Sequence, residues 1–308
     1  MKIFKNANNQ IRSGWKIFIM FVSFFVTTFA ASFMFSALYS IIIFIVKPEL
    51  LSQSDGGAKY ISEQFSSMSS IPGAFISLLQ CLLMIFFVIL FWKLLDKRKV
   101  ADMGLTKIRS SWKDLCIGLL SGAVSFSIVA IILLCTRSVE MVNSISKPNF
   151  SWGLIIEFII FIFVGVNEEL FARGYCMTVL KQTKTAYVPI IVSSIIFALM
   201  HSLNQGISLI AYLNLFLFGI SMGYVFIKTK NIWIGIGYHI TWNYFQGDIF
   251  GFLVSGNSTD SIYTIKTVSP NLINGGSFGP EGGLVVTALL IVTIFIIYKF
   301  LPNRKQII

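Results

Sequence analysis

The chain has 308 residues, of which 56% are hydrophobic and 12% charged, and its 24 Lys and Arg against 13 Asp and Glu give a formal net charge of +11. Mean hydropathy is +0.80, more apolar surface than a water-soluble domain of this length can bury, so the composition points to an all-α, polytopic membrane helical bundle. No basic patch interleaved with aromatics accompanies the positive charge, so no nucleic acid partner is expected; the bilayer is the partner, through anionic headgroups.

In chain order, the uncharged stretches Ile17–Val46, Ile71–Trp92 and Leu115–Thr136 are each long enough to cross a bilayer, which takes ~20 apolar residues. A helix carrying two glutamates follows at about 152–181. The uncharged block Thr185–Ile227 is about twice a spanning length, and Asn204-Gln205-Gly206 divides it as a hairpin into two helices. A helix at about 231–250 and the stretch Gly282–Tyr298 complete about eight transmembrane helices. Placing both termini in the cytoplasm puts 18 of the 24 basic residues in cytoplasmic loops, Lys2 and Lys305 among them, and leaves only Lys47, Lys59, Arg137, Lys147 and Lys266 outside, with Arg173 inside a span. The N-terminal apolar run reads as the first span rather than a cleavable signal. The C-terminal Lys-Gln-Ile-Ile holds no cysteine for prenylation.

The expected organisation is residues 1–113 as N-terminal transmembrane helices and a basic cytoplasmic linker, 96–113, lying on the membrane surface. Residues 114–308 form the remaining helices, with a functional core at about 150–250. Cys81, Cys116, Cys135 and Cys176 are scattered without a CxxC pair and read as packing residues. The segment 247–281, ending in a Gly-rich run, reads as a long non-helical outer loop.

Ionisable side chains at membrane depth mark function. Glu168 and Glu169 are adjacent in an apolar run, and the chain's two histidines, His201 and His239, lie in other apolar runs. Glu169 and Arg173 stand four apart in the favourable order for an ion pair within one helix. Glu168 is rotated away from that pair, and a carboxylate without a partner in low dielectric accepts a proton from water more readily. Phe197 lies one turn before His201, and Asn243 one turn after His239. At a helix rise of ~1.5 Å per residue, Glu168, His201 and Asn243 all come ~20 Å from the cytoplasmic flank, and His239 ~14 Å. A common level is what a shared site requires.

Such a set supports acyl transfer to water. A glutamate, with a histidine holding the water, is the general base, and a His–Asn pair stabilises the developing oxyanion. Ser193, Ser194 and Ser202 lie near His201 but in no nucleophile elbow. Glu168, His201 and His239 also match a zinc set with an open position, although HExxH is absent, so cofactor content stays open between zinc and none. Glu157, about three turns before Glu168, reads as an interfacial residue near the external end of its helix, with the outer part of a cavity as the alternative.

Glu168-Glu169-x-x-x-Arg173, Phe197-x-x-x-His201 and His239-x-x-x-Asn243, in that order, resemble the three motifs of the CAAX protease and bacteriocin-processing family of intramembrane proteases, also called the Abi family. The resemblance covers roughly residues 150–250. It implies an endopeptidase in which Glu168 activates water, His201 assists it, His239 and Asn243 form the oxyanion site, and Glu169 and Arg173 support them. It also implies a peptide or membrane-protein substrate and a multi-pass place in a cell membrane. Gly275–Gly283 is similar to a segment common in bacterial members, which act in peptide processing or self-immunity. The rival readings are a non-catalytic immunity or scaffold protein of the same family and, more distantly, a proton-coupled transporter, for which paired Gly/Pro-broken helices are missing.

Overall fold

The computed structural model describes residues 3–51, 56–185 and 187–304; Lys2 and the stretch 305–308, with Lys305, lie outside them. Helix dominates, and all eight segments expected to be helical are helices. They are α1 (Ser13–Val46), α3 (Ile71–Phe91), α4 (Ile108–Cys135), α5 (Gly153–Glu169) running through a π turn Leu170–Cys176 into α6 (Met177–Leu180), α7 (Tyr187–Met200), α8 (Leu209–Thr229), α9 (Trp233–Tyr244) and α10 (Leu284–Phe300). A further short helix, α2 (Gly56–Ser66), was not expected. Four helical stretches, Ser13–Val46, Ile71–Asp96, Val100–Cys135 and Leu209–Thr229, are long and apolar enough to cross a membrane, and Tyr187–Met200 and Leu284–Phe300 are shorter apolar helices. Large apolar side chains such as Val26, Phe29 and Phe33 on α1 are at least 60% exposed, the surface that lipid rather than water covers.

Contacts fix how the helices run. Phe35 stacks on Phe75 at 4.3 Å while Lys16 pairs with Asp96, so α1 and α3 are antiparallel. Asn214, near the start of α8, donates to the Gly283 carbonyl at 2.9 Å, and Lys228, near its end, donates to the Leu301 carbonyl at 2.8 Å, so α8 and α10 are parallel. Lys16, Asp96, Gln182, Lys228 and Arg304 therefore gather at one end of the bundle, hereafter the basic end. There Arg304 reaches both carboxylate oxygens of Asp114 at 2.8 and 2.7 Å, and Asn231 donates to the same carboxylate at 2.8 Å.

Helix α9 sits at the centre, between α4 and α5. Gly118 and Gly122 of α4 face the α9 backbone at Ile234, Gly237 and Tyr238, with no room for a Cβ, the close backbone approach that small residues allow between membrane helices. On the other side Gly165 of α5 meets Ile236 and Ile240.

The structure corrects several expectations. Residues 108–113 belong to α4, so the basic linker is shorter than 96–113. Segment 247–281 is not wholly irregular: β2 (Ile265–Thr267) pairs antiparallel with β1 (Val139–Met141). Cys81 and Cys176 are buried as packing residues, whereas Cys116 and Cys135 are exposed.

Candidate active site

Arg173 organises the site. It is 1% exposed, and its guanidinium donates to Glu169 Oε1 at 2.8 Å, the ion pair that the four-residue spacing predicts. The rings of Phe197 and Phe218 lie 4.6 and 5.2 Å from it, so its charge is held between two aromatic faces as well as a carboxylate. Glu169 in turn fills a notch in α9, where a Cβ on Gly235 would come 2.6 Å from Glu169 Oε2. A side chain at position 235 would have to push this carboxylate out of its place against Arg173.

Helix geometry changes immediately after the paired glutamates, because α5 passes into the π turn Leu170–Cys176. Another π turn, Phe245–Ile249, begins two residues after Asn243. Such turns widen the helix and recur at functional sites.

His239 stands between the two glutamates. Its Nδ1 is 3.5 Å from Glu169 Oε1 and its Nε2 is 3.7 Å from Glu168 Oε2. Glu168 is 19% exposed on its side chain against 1% for Glu169, and it alone of the two lines a cavity of about 460 Å³. His201, His239, Asn243 and Phe197 line the same cavity. Four polar side chains singled out from sequence, carried by three separate stretches of chain, therefore converge on one space.

The placement of the histidines differs from the expected one in detail. His201 lies just past the end of α7, in the turn rather than inside the span, with Nδ1 2.9 Å from the Phe197 carbonyl. A carbonyl only accepts, so Nδ1 carries the hydrogen and Nε2 is left as the acceptor of the neutral ring. The histidine that comes within 4.0 Å of Glu168 is His239, and among the described residues His201 makes no such approach to a carboxylate.

Among the described residues no three His, Cys, Asp or Glu side chains are grouped to hold one ion, and no step below uses a metal.

Sequence reasoning missed four contributors. Phe218 covers both Arg173 and His239, whose ring lies 5.3 Å away. Asn167 donates to Cys81 Sγ at 3.0 Å and backs the glutamates from the α3 side. Asn214 holds the Glu281 and Gly283 carbonyls. Glu281 itself lines the cavity and accepts from the Ser255 backbone and hydroxyl at 2.7 and 2.6 Å and from Trp242 Nε1 at 3.3 Å. The only signal for Glu281 was a charge inside the Gly-rich run before α10. Glu157, conversely, is neither interfacial nor part of the cavity lining: it is fully buried and accepts the Asp260 N–H at 3.1 Å, pinning the outer loop.

Fold and site together define a helical membrane protein with a buried Glu–Glu–Arg–His cluster beside a cavity. Comparison with known families gives this class a name: the family described as type II CAAX prenyl endopeptidase Rce1-like matches residues 150–245. That stretch runs from α5 through α9, and its similarity is consistent with the CAAX protease and bacteriocin-processing family of intramembrane proteases. No curated protein and no solved structure matches the chain.

Proposed function

We propose that the protein is an intramembrane endopeptidase that hydrolyses a peptide bond of a membrane-associated peptide or protein with Glu168 as general base. The observation that carries this reading is the division of labour between neighbours. Glu169 is sealed against Arg173 and Gly235, whereas Glu168, one residue earlier, opens on the cavity that His201, His239 and Asn243 also line.

In this mechanism Glu168 takes a proton from water as the water oxygen attacks the scissile carbonyl, and His201 Nε2 orients that water by accepting its second hydrogen. His239 and Asn243 donate to the oxygen that becomes negative in the tetrahedral intermediate. His239 keeps Nδ1 toward Glu169 and uses Nε2, on the Glu168 side, for the oxyanion. As the C–N bond breaks, Glu168 passes its proton to the leaving amine, so the base is restored. The core at 150–250 supplies every one of these groups, and the helices before residue 113 contribute cavity wall. The site sits in the membrane, multi-pass, and the positive-inside pattern assigns the basic end to the cytoplasm.

Purified protein incubated with candidate membrane peptides in ¹⁸O-water tests the reading by mass spectrometry. The expected product carries one ¹⁸O in its new carboxylate, and Glu168→Gln, which accumulates normally, abolishes it. Undiminished cleavage by Glu168→Gln contradicts the assignment.

A further inference from the structure

The cavity is closed at one end and open at the other. From Glu168 toward the basic end, the next residues along α1, α3 and the π turn are Met20, Trp92, Phe171 and Tyr175, none more than 1% exposed and all part of one apolar cluster. Two polar tips tie this plug to the chain at the basic end: the Tyr175 hydroxyl donates to the Lys16 carbonyl at 3.2 Å, and Trp92 Nε1 donates to the Lys99 carbonyl at 2.9 Å. A floor of large, fully buried apolar side chains leaves no path for a polypeptide.

At the opposite end the lining residues are exposed. Leu203 is 84% exposed, Asn257 is exposed, and His201 is half-buried just beyond the last turn of α7. Glu281 ties the rim together by joining Ser255 of the outer loop to Trp242 of α9. Among the described residues no Lys or Arg lines the cavity, and its charged lining residues are Glu168 and Glu281. Basic residues concentrate at the other end, and such loops stay in the cytoplasm during insertion.

We infer that the site is reached from the face of the membrane opposite the basic loops, so that its substrate is a polypeptide segment presented on the non-cytoplasmic side. The inference rests on the hydrolase reading for what happens in the cavity, but not for which way the cavity opens. The apolar α1 wall, with Phe21, Phe24, Phe25 and Phe29, and the two acidic groups favour a segment that is apolar and neutral or basic over an acidic one.

Sidedness is measured with single cysteines introduced at Leu203 on the rim and at Arg98 at the basic end, in a background carrying Cys116→Ser and Cys135→Ser, with that parent setting the baseline. A bulky membrane-impermeant maleimide is applied to intact and to permeabilised cells. Leu203→Cys is expected to label in intact cells and Arg98→Cys only after permeabilisation, and labelling of Leu203→Cys is expected to lower cleavage by about tenfold or more by blocking the mouth. Labelling of Arg98→Cys in intact cells, or full cleavage after complete labelling at position 203, overturns the inference. Repeating the labelling in Glu168→Gln separates the two claims: if that variant still cleaves, the hydrolase assignment fails while the labelling pattern still reports the direction of access.

Discussion

Helices α5 and α9 bring acidic groups together twice, and the two places are built on different principles. Near the cavity, Glu168 and Glu169 share their surroundings with Arg173 and His239, so each carboxylate has a cationic or hydrogen-bonding partner within 4 Å. At the outer end, Glu157 and Asp248 are both fully buried and share a side-chain hydrogen bond, and Glu157 also accepts the Asp260 backbone N–H. Neither member of the outer pair is among the described residues that line the cavity of Glu168. Burial of a carboxylate alone therefore does not single out the proposed base in this fold; a histidine partner and a place on the cavity wall do.

Four substitutions break or sharpen this contrast. The largest effect on folding belongs to Arg173→Leu, which strands Glu169 in the interior; losing one partner of a buried pair costs roughly 3–5 kcal/mol, so the variant is expected to lose most of its accumulation in the membrane, measured by quantitative blotting. Asn243→Ala is expected to leave accumulation intact while lowering kcat by roughly 10²–10³, the effect of removing one oxyanion donor. Gly235→Ala forces a methyl against Glu169 Oε2. Overpacking of that kind costs about 1–3 kcal/mol, visible as a lower unfolding midpoint in detergent together with reduced activity. The smallest change is expected for Asp248→Asn, which keeps a hydrogen-bond donor facing Glu157: activity within about threefold and an equal or higher midpoint. A severe loss there would show that the outer pair does more than pin the loop.

Much of this was legible along the chain because membrane helices are encoded locally. Uncharged runs marked six of the eight helical segments, the Glu169–Arg173 spacing gave the ion pair, and the hairpin at Asn204-Gln205-Gly206 fell between α7 and α8, where Gly206 has φ of +76°. What stayed hidden depends on partners distant in sequence. The pairing of β1 with β2 joins residues on either side of α5 to α9, and nothing in either trio signals the other. Phe218 looks like any lipid-facing aromatic until it is seen against Arg173 and His239. Glu157 looked interfacial because its position near the helix end was visible, whereas the loop that buries it folds back from residues 257–263. The nearer histidine to Glu168 was likewise beyond spacing arguments, since a rise per residue fixes level but not azimuth.

The central claim is that Glu168 is chemical and the buried glutamate three turns earlier is not. Comparing turnover by Glu168→Gln and Glu157→Gln at equal amounts of folded protein tests it most directly. A loss of roughly 10²–10⁴ for the first, the range for removing a general base, with the second within about threefold of the parent, is the predicted result. Equal losses in both, or full activity in Glu168→Gln, would contradict it.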